Sequence, residues 1–134
     1  MRSFHLNIIA PEREFFDGQA TSLMVPTTQG YYGVLAGHAN EIGAIVPGKL
    51  TMKDEQGKTI EAAVSNGMIR VEENDVLVLV DTIELPEEID ANRAQRAADR
   101  AREEMLQKKG KEEYLQAKAQ MARALNRLKV KGRR

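Results

Sequence analysis

The sequence predicts a chain of two parts: an N-terminal antiparallel β-sandwich and a C-terminal antiparallel hairpin of two helices. Composition changes at Pro86: residues 1–86 hold all three Phe, all four Pro and eight of the ten Gly, whereas 87–134 consist largely of Ala, Glu, Gln, Lys and Arg. The formal charge changes from −6 (6 basic, 12 acidic residues) to +6 (14 basic, 8 acidic) at the same place. The apolar spacing changes from period two to helical. We therefore predict domains at 1–86 and 87–134, one of which meets a charged partner.

The first part shows short apolar segments separated by turn residues, a pattern typical of a sandwich or barrel. Residues 4–8 alternate with period two, as expected for a half-buried strand. Residues 76–80 are apolar on both faces, which predicts a central strand. Segments 51–53 and 58–60 flank Asp54-Glu55-Gln56-Gly57 and predict a hairpin. The full set of predicted strands is 4–8, 20–25, 31–35, 42–46, 48–53, 58–64, 68–72 and 76–83.

The second part predicts helices at 88–107 and 112–129, with acidic residues in the first turn and Gly110 between the helices. It holds nine large apolar residues, against 31 in the first part, so apolar burial anchors it weakly. Its many alanines favour helix even without packing. Together these features indicate a movable element. The predicted apolar stripes are Ile89, Ala94, Ala97, Ala98, Ala101, Met105 and Leu106 on the first helix, and Tyr114, Leu115, Met121, Ala122, Leu125 and Leu128 on the second.

Several kinds of chemistry find no support in the residues. The sequence has no cysteine, which favours a cytosolic setting and excludes thiol chemistry. His5 and His38 are the only histidines and lie outside any metal-binding spacing, so we predict no metal site. Neither a nucleophile elbow nor a phosphate-binding loop is found, so we predict no catalytic residue. We also predict neither a signal peptide nor a membrane-spanning segment.

Charged residues on the two helices form the one group of side chains whose spacing suits ligand binding. Asp90 and Arg93 lie three positions apart, Arg100 follows two turns later, and Arg123 and Arg127 share one face of the second helix. In a closed hairpin these arginines converge on one anion, for which the guanidinium fork is suited. The alternative is that they are ordinary solvated charges on alanine-rich helices. Spacing by itself leaves both interpretations open.

Two function classes stay open on the residues alone. The basic second part fits a stand-alone nucleotide- or nucleic-acid-binding module, although Tyr114 is its only aromatic residue and stacking is therefore unsupported. Such a module predicts oligonucleotide binding with a steep salt dependence. A small enzyme is the other class, for which no acid–base or nucleophile constellation stands out.

Four segments carry a resemblance to a known family. They are FHLNIIAPER at 4–13, GVLAGHA at 33–39, VLVDTIE at 78–84 and EIDANRA at 88–94. With the length and the order of the two parts, they make essentially the whole chain resemble the epsilon subunits of bacterial F-type ATP synthases. The family has proline where Ala36 and Asn40 stand, so the resemblance does not imply the local turn geometry there.

The resemblance implies a sandwich of about ten strands that docks on the rotor, beside the gamma subunit and the ring of c subunits, with 29–38 as the contacting stretch. It implies a non-catalytic subunit, peripheral at the cytoplasmic face of the cell membrane, which touches the membrane only through the complex and binds no nucleic acid. The helices are the implied regulator. When extended along gamma they enter the hexamer of alpha and catalytic beta subunits and inhibit ATP hydrolysis.

The resemblance also implies a regulatory ATP site on the compact hairpin, which ATP binding favours. The family motif Ile/Leu-Asp-x-x-Arg-Ala falls on 89–94. ATP is then a regulatory ligand, with or without magnesium, and no cofactor is obligatory. The implied ATP-binding residues are Glu84, Ile89, Asp90, Arg93, Ala94, Arg100, Arg123 and Arg127.

Overall fold

The computed structural model describes residues 2–106 and 110–132, and within them it confirms the predicted order of strands followed by helices. The described residues fall into two compact units, Met1–Glu84 and Leu85–Arg134. The first unit holds nine strands, where the family resemblance implies about ten. They are β1 (Phe4–Ala10), β2 (Arg13–Thr27), β3 (Gly30–Leu35), β4 (Glu41–Ile45), β5 (Gly48–Asp54), β6 (Thr59–Val64), β7 (Gly67–Glu72), β8 (Asp75–Val80) and β9 (Ile83–Glu84).

The strands form one continuous sheet in the order β4-β7-β8-β1-β2-β5-β6-β9, with β3 added to β2. Strand β2 belongs to both halves of this sheet, because it pairs with β1 at its start and with β3 and β5 further on. The sheet therefore folds over itself and encloses a core. Strand β8 lies between β7 and β1, which confirms the central strand predicted at 76–80. The β1–β8 pair is parallel, whereas the sequence predicted antiparallel pairing throughout.

The first half of β2 is a strand that the sequence prediction missed. Phe15 and Phe16 are adjacent, and this interrupts the alternation that marks a strand. The pairing register explains the interruption: Ile8 faces Phe16 but Ile9 faces Glu14, so Phe15 is the extra residue of a β-bulge.

Alternate residues of the strands fill the core. Phe4, Leu6 and Ile8 of β1 are at most 1% exposed, and Val76 and Val78 of β8 are equally buried. The 51–53 and 58–60 hairpin is confirmed. Its turn is held by the Asp54 carboxylate, which accepts hydrogen bonds from the backbone N–H groups of Gln56 and Lys58.

His5 links β1 to both of its neighbours on the outer side of the sheet. Its Nδ1 lies 2.6 Å from Asp75 Oδ1 on β8, and its Nε2 lies 2.6 Å from Asp17 Oδ1 on β2. A carboxylate only accepts hydrogen bonds, so both contacts are satisfied together when both ring nitrogens donate, which is the case in the protonated imidazole. The hydrogen bond to Asp75, followed by that to Asp17, raises the pKa of His5 above its usual 6.5.

The second unit begins with a 3₁₀ turn (Pro86–Glu88) and continues as α1 (Ala91–Leu106) and α2 (Lys111–Lys131). Helix α1 begins at 91 and not at the predicted 88, because Glu88 Oε1 accepts a hydrogen bond from Leu85 N and closes the separate turn. Ile89 is extended (φ −86°, ψ 123°) between the turn and the helix. Helix α2 continues past the predicted 129 to a C-cap at Gly132, whose φ of 91° suits glycine. Position 107, the predicted end of the first helix, lies outside the described residues.

Candidate functional site

The start of α1 is built by Asp90. Its Oδ1 accepts a hydrogen bond from the backbone N–H of Arg93 at 3.1 Å, and its carbonyl accepts one from the N–H of Ala94 at 3.0 Å. Asp90 is therefore the N-cap of the helix. The hydrogen bond from Arg93, with a further one from Asn92, lowers the pKa of Asp90. This carboxylate has a structural role before any ligand is considered.

Two other residues of the 89–94 motif have buried side chains. Ile89 is 3% exposed and Ala94 is fully buried. They occupy the positions before the cap and at the fourth residue of the helix, where apolar pairs commonly fix the entry of the chain. Ala94 forms a small cluster with Ala91 and Leu128, so the motif also joins α1 to the end of α2. Ile89 and Ala94 thus support the site by packing and present almost no side-chain surface.

The contact between the helices is a seam of small residues. Buried positions on α1 recur at intervals of three and four, and those on α2 are seven and four positions apart, with the half-buried Met121 between the first two. Alanine at these positions lets two helix backbones approach closely. The seam residues are Ala91, Ala94, Ala98 and Ala101 on α1, and Ala117, Ala124 and Leu128 on α2.

This seam corrects the apolar stripe predicted for the second helix. Leu128 is buried and Met121 half-buried as predicted, but Tyr114, Leu115, Ala122 and Leu125 are exposed. The prediction followed the large apolar residues. The structure instead buries the alanines at 117 and 124, because contact with an alanine-lined partner favours small side chains. On α1, Leu106 is also exposed, at 74%.

Beside the seam the two helices form a pocket of about 260 Å³. Arg100 of α1 and Arg123 and Arg127 of α2 contribute the charges, so three of the predicted arginines come together. The lining residues are Ala97, Arg100, Gln120, Arg123, Ala124 and Arg127, with no carboxylate among them. Three guanidinium groups in one concave site are suited to a polyanion such as a phosphate chain.

The remaining predicted residues lie away from this lining. Arg93 is exposed and two turns before Arg100, and Asp90 acts through the main chain. Glu84 lies in β9, in the first unit, where it pairs with Ala63. The structure does not place Asp90, Arg93 or Glu84 in the pocket.

Sequence reasoning missed Gln120 as part of the pocket. The available signal was spacing: Gln120 precedes Arg123 by three and Arg127 by seven positions, so the three residues share one face of α2. In the sequence alone, Gln120 is indistinguishable from an ordinary solvated residue, because the pocket that it lines depends on the position of α1.

The C-terminal end of the hairpin is tied to its beginning. Lys131 Nζ donates a hydrogen bond to the carbonyl of Pro86 at 3.1 Å. With Leu128 packed against Ala91 and Ala94, this contact fixes one end of the two helices.

A second surface of interest is the predicted docking stretch 29–38. Tyr31 and Leu35 point outward from β3 and are 54% and 64% exposed, and Ile42 of β4 is 70% exposed. Large apolar side chains clustered at the surface are typical of interaction sites.

The loop that joins β3 to β4 is held by two asparagines. Asn40 Oδ1 accepts a hydrogen bond from Glu73 N at 3.0 Å, and Asn74 Oδ1 accepts one from Gly37 N at 2.9 Å. Asn40 is one of the two positions where the resembling family has proline. Here its side chain ties the loop to the β7–β8 turn.

Over residues 2–106 and 110–132, no group of three or more His, Cys, Asp or Glu side chains is arranged to hold a metal ion. In the same ranges no helix is long and apolar enough to span a bilayer.

Comparison with known proteins covers the whole chain. Residues 3–86 match the family model "ATP synthase, Delta/Epsilon chain, beta-sandwich domain", and residues 87–132 match "ATP synthase, Delta/Epsilon chain, long alpha-helix domain". The ATP synthase epsilon chain of Ruminiclostridium cellulolyticum is 41% identical, over 100% of this chain and 99% of its own length. That of Caldanaerobacter subterraneus subsp. tengcongensis is 39% identical, over 96% and 94%.

Two solved structures share the fold. A chain of the Euglena gracilis mitochondrial ATP synthase, in the cryo-EM structure of its OSCP, F1 and c-ring, has a TM-score of 0.82 and 22% identity, over 92% of this chain and 78% of that one. A chain of the Tetrahymena thermophila mitochondrial ATP synthase central stalk and c-ring has a TM-score of 0.68 and 13% identity, over 97% of both chains.

Proposed function

The chain belongs to the ATP synthase delta/epsilon family, and we propose that it is a non-catalytic central-stalk subunit whose helical hairpin regulates ATP hydrolysis. Its partners are the gamma subunit, the c ring and the alpha and beta subunits. Its place is peripheral, at the cytoplasmic face of the membrane, through the complex. ATP is its regulatory ligand, with or without magnesium, and no cofactor is obligatory.

One observation carries the proposal: the pocket lined by Arg100, Arg123 and Arg127 takes its charges from both helices. The pocket exists only while the helices lie side by side. A polyphosphate bound there makes contacts that a separated hairpin cannot make. A ligand with this preference shifts the population toward the closed state.

The free energy of apolar burial in the hairpin and the stabilisation supplied by a bound ligand are both on the order of a few kcal/mol. Ile89 and Leu128 are the large apolar residues of the described hairpin that are buried, and each contributes roughly 1.5–3 kcal/mol. A ligand at about 100 times its dissociation constant adds about 2.7 kcal/mol to the state it binds. That amount reverses a net bias of roughly one or two kcal/mol between closed and open hairpins, and the small number of buried large side chains is consistent with a bias of that size.

An open hairpin exposes apolar surface to which a partner can bind. Tyr114, Leu115 and Leu125 are 40–51% exposed on α2, outside the seam. Opening adds the alanine seam to this apolar surface. The net charge of +6 on residues 87–134 complements an acidic surface, which we assign to the catalytic beta subunit.

The motif residues organise this switch. Asp90 caps α1, Ile89 is buried just before the cap, and Ala94 packs with Leu128 near the end of α2. We assign Arg100, Arg123 and Arg127 to the phosphate chain, because they line one pocket. Arg93 and Glu84 lie outside this lining and belong to the proposed site only through the family resemblance.

Two experiments test the proposal. Isothermal titration of the isolated chain with ATP, with and without magnesium, should show binding at a single site. In the reconstituted complex, a chain that ends at residue 86 should leave assembly intact and raise ATP hydrolysis. Failure to assemble would contradict the division into a docking part and a regulatory part, and unchanged hydrolysis would contradict the inhibitory hairpin.

A further inference from the structure

A second pocket, of about 200 Å³, lies within the first unit and is separate from the arginine pocket of the hairpin. Ile69 and Val71 of β7, each 2% exposed, contribute its apolar side. Thr28, Gln29, Tyr32 and Glu41 contribute its polar side. Pockets that hold drug-sized ligands measure about 300–1,000 Å³, so this one has the size for a single side chain.

The polar side of this pocket is built around a fixed carboxylate. The Tyr32 hydroxyl donates a hydrogen bond to Glu41 Oε2, and the same hydroxyl oxygen lies 2.7 Å from His38 Nε2. The rings of Tyr32 and His38 meet edge to face, with centroids 5.4 Å apart. These contacts hold Glu41 in one orientation.

The tyrosine keeps its proton for this contact. Burial, followed by the hydrogen bond to Glu41, raises the pKa of Tyr32 to about 12. The hydroxyl is therefore a neutral donor at physiological pH. A carboxylate has about four lone-pair positions on two oxygens, so one tyrosine contact leaves Glu41 with acceptor capacity toward the pocket.

We propose that this pocket, which we call the Glu41 pocket, receives an arginine side chain from a partner subunit of the rotor. The aliphatic stem of the arginine lies along Gly43 and Ala44 of the lining, where the buried Ile69 and Val71 leave little polar surface, and its guanidinium pairs with Glu41 beside Tyr32. Arginine fits better than lysine because its planar group is less strongly hydrated and forks onto a carboxylate. The net charge of −6 on residues 1–86 attracts such a partner.

The position of the pocket supports a docking role. Gln29 and Tyr32 belong to the stretch 29–38, and Glu41 and Ala44 of β4 continue it beyond the loop. Tyr31, Leu35 and Ile42 are exposed apolar neighbours in sequence. The partner's identity as a rotor subunit rests on the proposed function, whereas the arginine specificity rests on the pocket alone.

The test uses the isolated chain and N-acetyl-arginine N-methylamide, with N-acetyl-citrulline N-methylamide as its neutral isostere. Proton–nitrogen NMR should show shifts at Gln29, Gly43 and Ala44 with the arginine probe, saturating with a dissociation constant on the order of 1–10 mM. Equal shifts with the citrulline probe would show that charge is not recognised. An equally tight lysine probe would overturn the assignment to arginine.

Variants complete the test. Glu41→Gln should weaken arginine binding about tenfold through loss of a charge-assisted contact. Glu55→Gln, which removes the same charge in the exposed β5–β6 turn, should leave binding unchanged. Tyr32→Phe keeps the ring and should weaken binding through the loss of the hydroxyl that orients Glu41. Unchanged arginine binding in both Glu41→Gln and Tyr32→Phe would overturn the proposal. The hydrolysis test of the hairpin is independent of this result.

Discussion

Asp90 and Arg93 meet through the main chain: the carboxylate of Asp90 accepts a hydrogen bond from the backbone N–H of Arg93 at 3.1 Å. The arginine side chain is exposed and is not used in this contact. One motif residue therefore builds the helix start from which the other projects. This arrangement separates the structural role of Asp90 from the ligand role that we propose for Arg93.

The first prediction separates these roles. Asn is as good an N-cap as Asp, whereas Ala is a poor one. Asp90→Asn should therefore keep the helix content of the parent and most of its ATP affinity, and Asp90→Ala should lower both. Circular dichroism and isothermal titration measure the two quantities. If Asp90→Asn loses ATP binding as completely as Asp90→Ala, the carboxylate contacts the nucleotide directly.

The second prediction concerns the arginine pocket. Arg123→Ala and Arg127→Ala should each weaken ATP binding by about tenfold or more, since hydrogen bonds to charged groups contribute about 1.5–3 kcal/mol. Arg102→Ala is the matched control, because Arg102 is exposed on α1 and does not line the pocket. Titration of all three variants at one salt concentration checks the prediction. An Arg102 effect as large as the others would indicate attraction by net charge and no defined site.

The third prediction is a pH dependence from His5. The pKa of His5 is raised in the folded chain. Its contacts with Asp17 and Asp75 therefore make their full contribution to the stability of the fold below the usual pKa of 6.5, and this contribution is lost as the pH rises through the folded pKa. His5→Gln should therefore be less stable than the parent at about pH 6, by roughly 0.5 kcal/mol for so exposed a group, and nearly equal to it at about pH 9. Urea unfolding followed by NMR signals of β1 measures the gap. A gap that stays constant across this range would contradict the cationic bridge.

The fourth prediction concerns the close approach of β7 and β8 at Gly67. A Cβ on Gly67 would lie 2.0 Å from the carbonyl oxygen of Leu79 and 2.8 Å from Val80 Cα, so the backbone must move. Gly67→Ala should lower the free energy of unfolding by about 1–3 kcal/mol or more. Gly33→Ala is the control, since a Cβ there meets no atom within 4 Å. Similar urea midpoints for the two variants would show that the strands separate without cost.

The sequence predicted those features of the fold that depend on local pattern. The central strand at 76–80 follows from an apolar run, and the hairpin around Asp54 follows from turn chemistry. The first half of β2 was missed because the bulge at Phe15 breaks the alternation, and a bulge is a property of a pair of strands. The parallel β1–β8 pair likewise depends on long-range pairing.

In the candidate site, too, some features follow from the local sequence pattern and others depend on how the two helices pack. The likeness of 89–94 to a known motif drew attention to Ile89 and Ala94, but their burial depends on the position of α2. Spacing alone left open whether the arginines at 100, 123 and 127 form a site or are solvated charges, and the family resemblance favoured a site. The structure places these three arginines in one pocket. The apolar stripe predicted on α1 includes Ala94, Ala98 and Ala101, which are buried in the seam. Gln120 and the buried alanines at 117 and 124 on α2 were missed, because neither residue type has a chemical signature outside a helix pair.

The alanine seam has a further consequence for the geometry of the hairpin. Methyl groups repeated every three and four residues set the distance between two helices, but every step along the seam resembles the next, so the alanines give little resistance to sliding along the axis. Leu128 and the hydrogen bond from Lys131 to Pro86 therefore give the far end of the hairpin an axial specificity that the alanines lack. If these contacts are lost, only the chain connection between the two helices opposes a shift of Arg123 and Arg127 relative to Arg100.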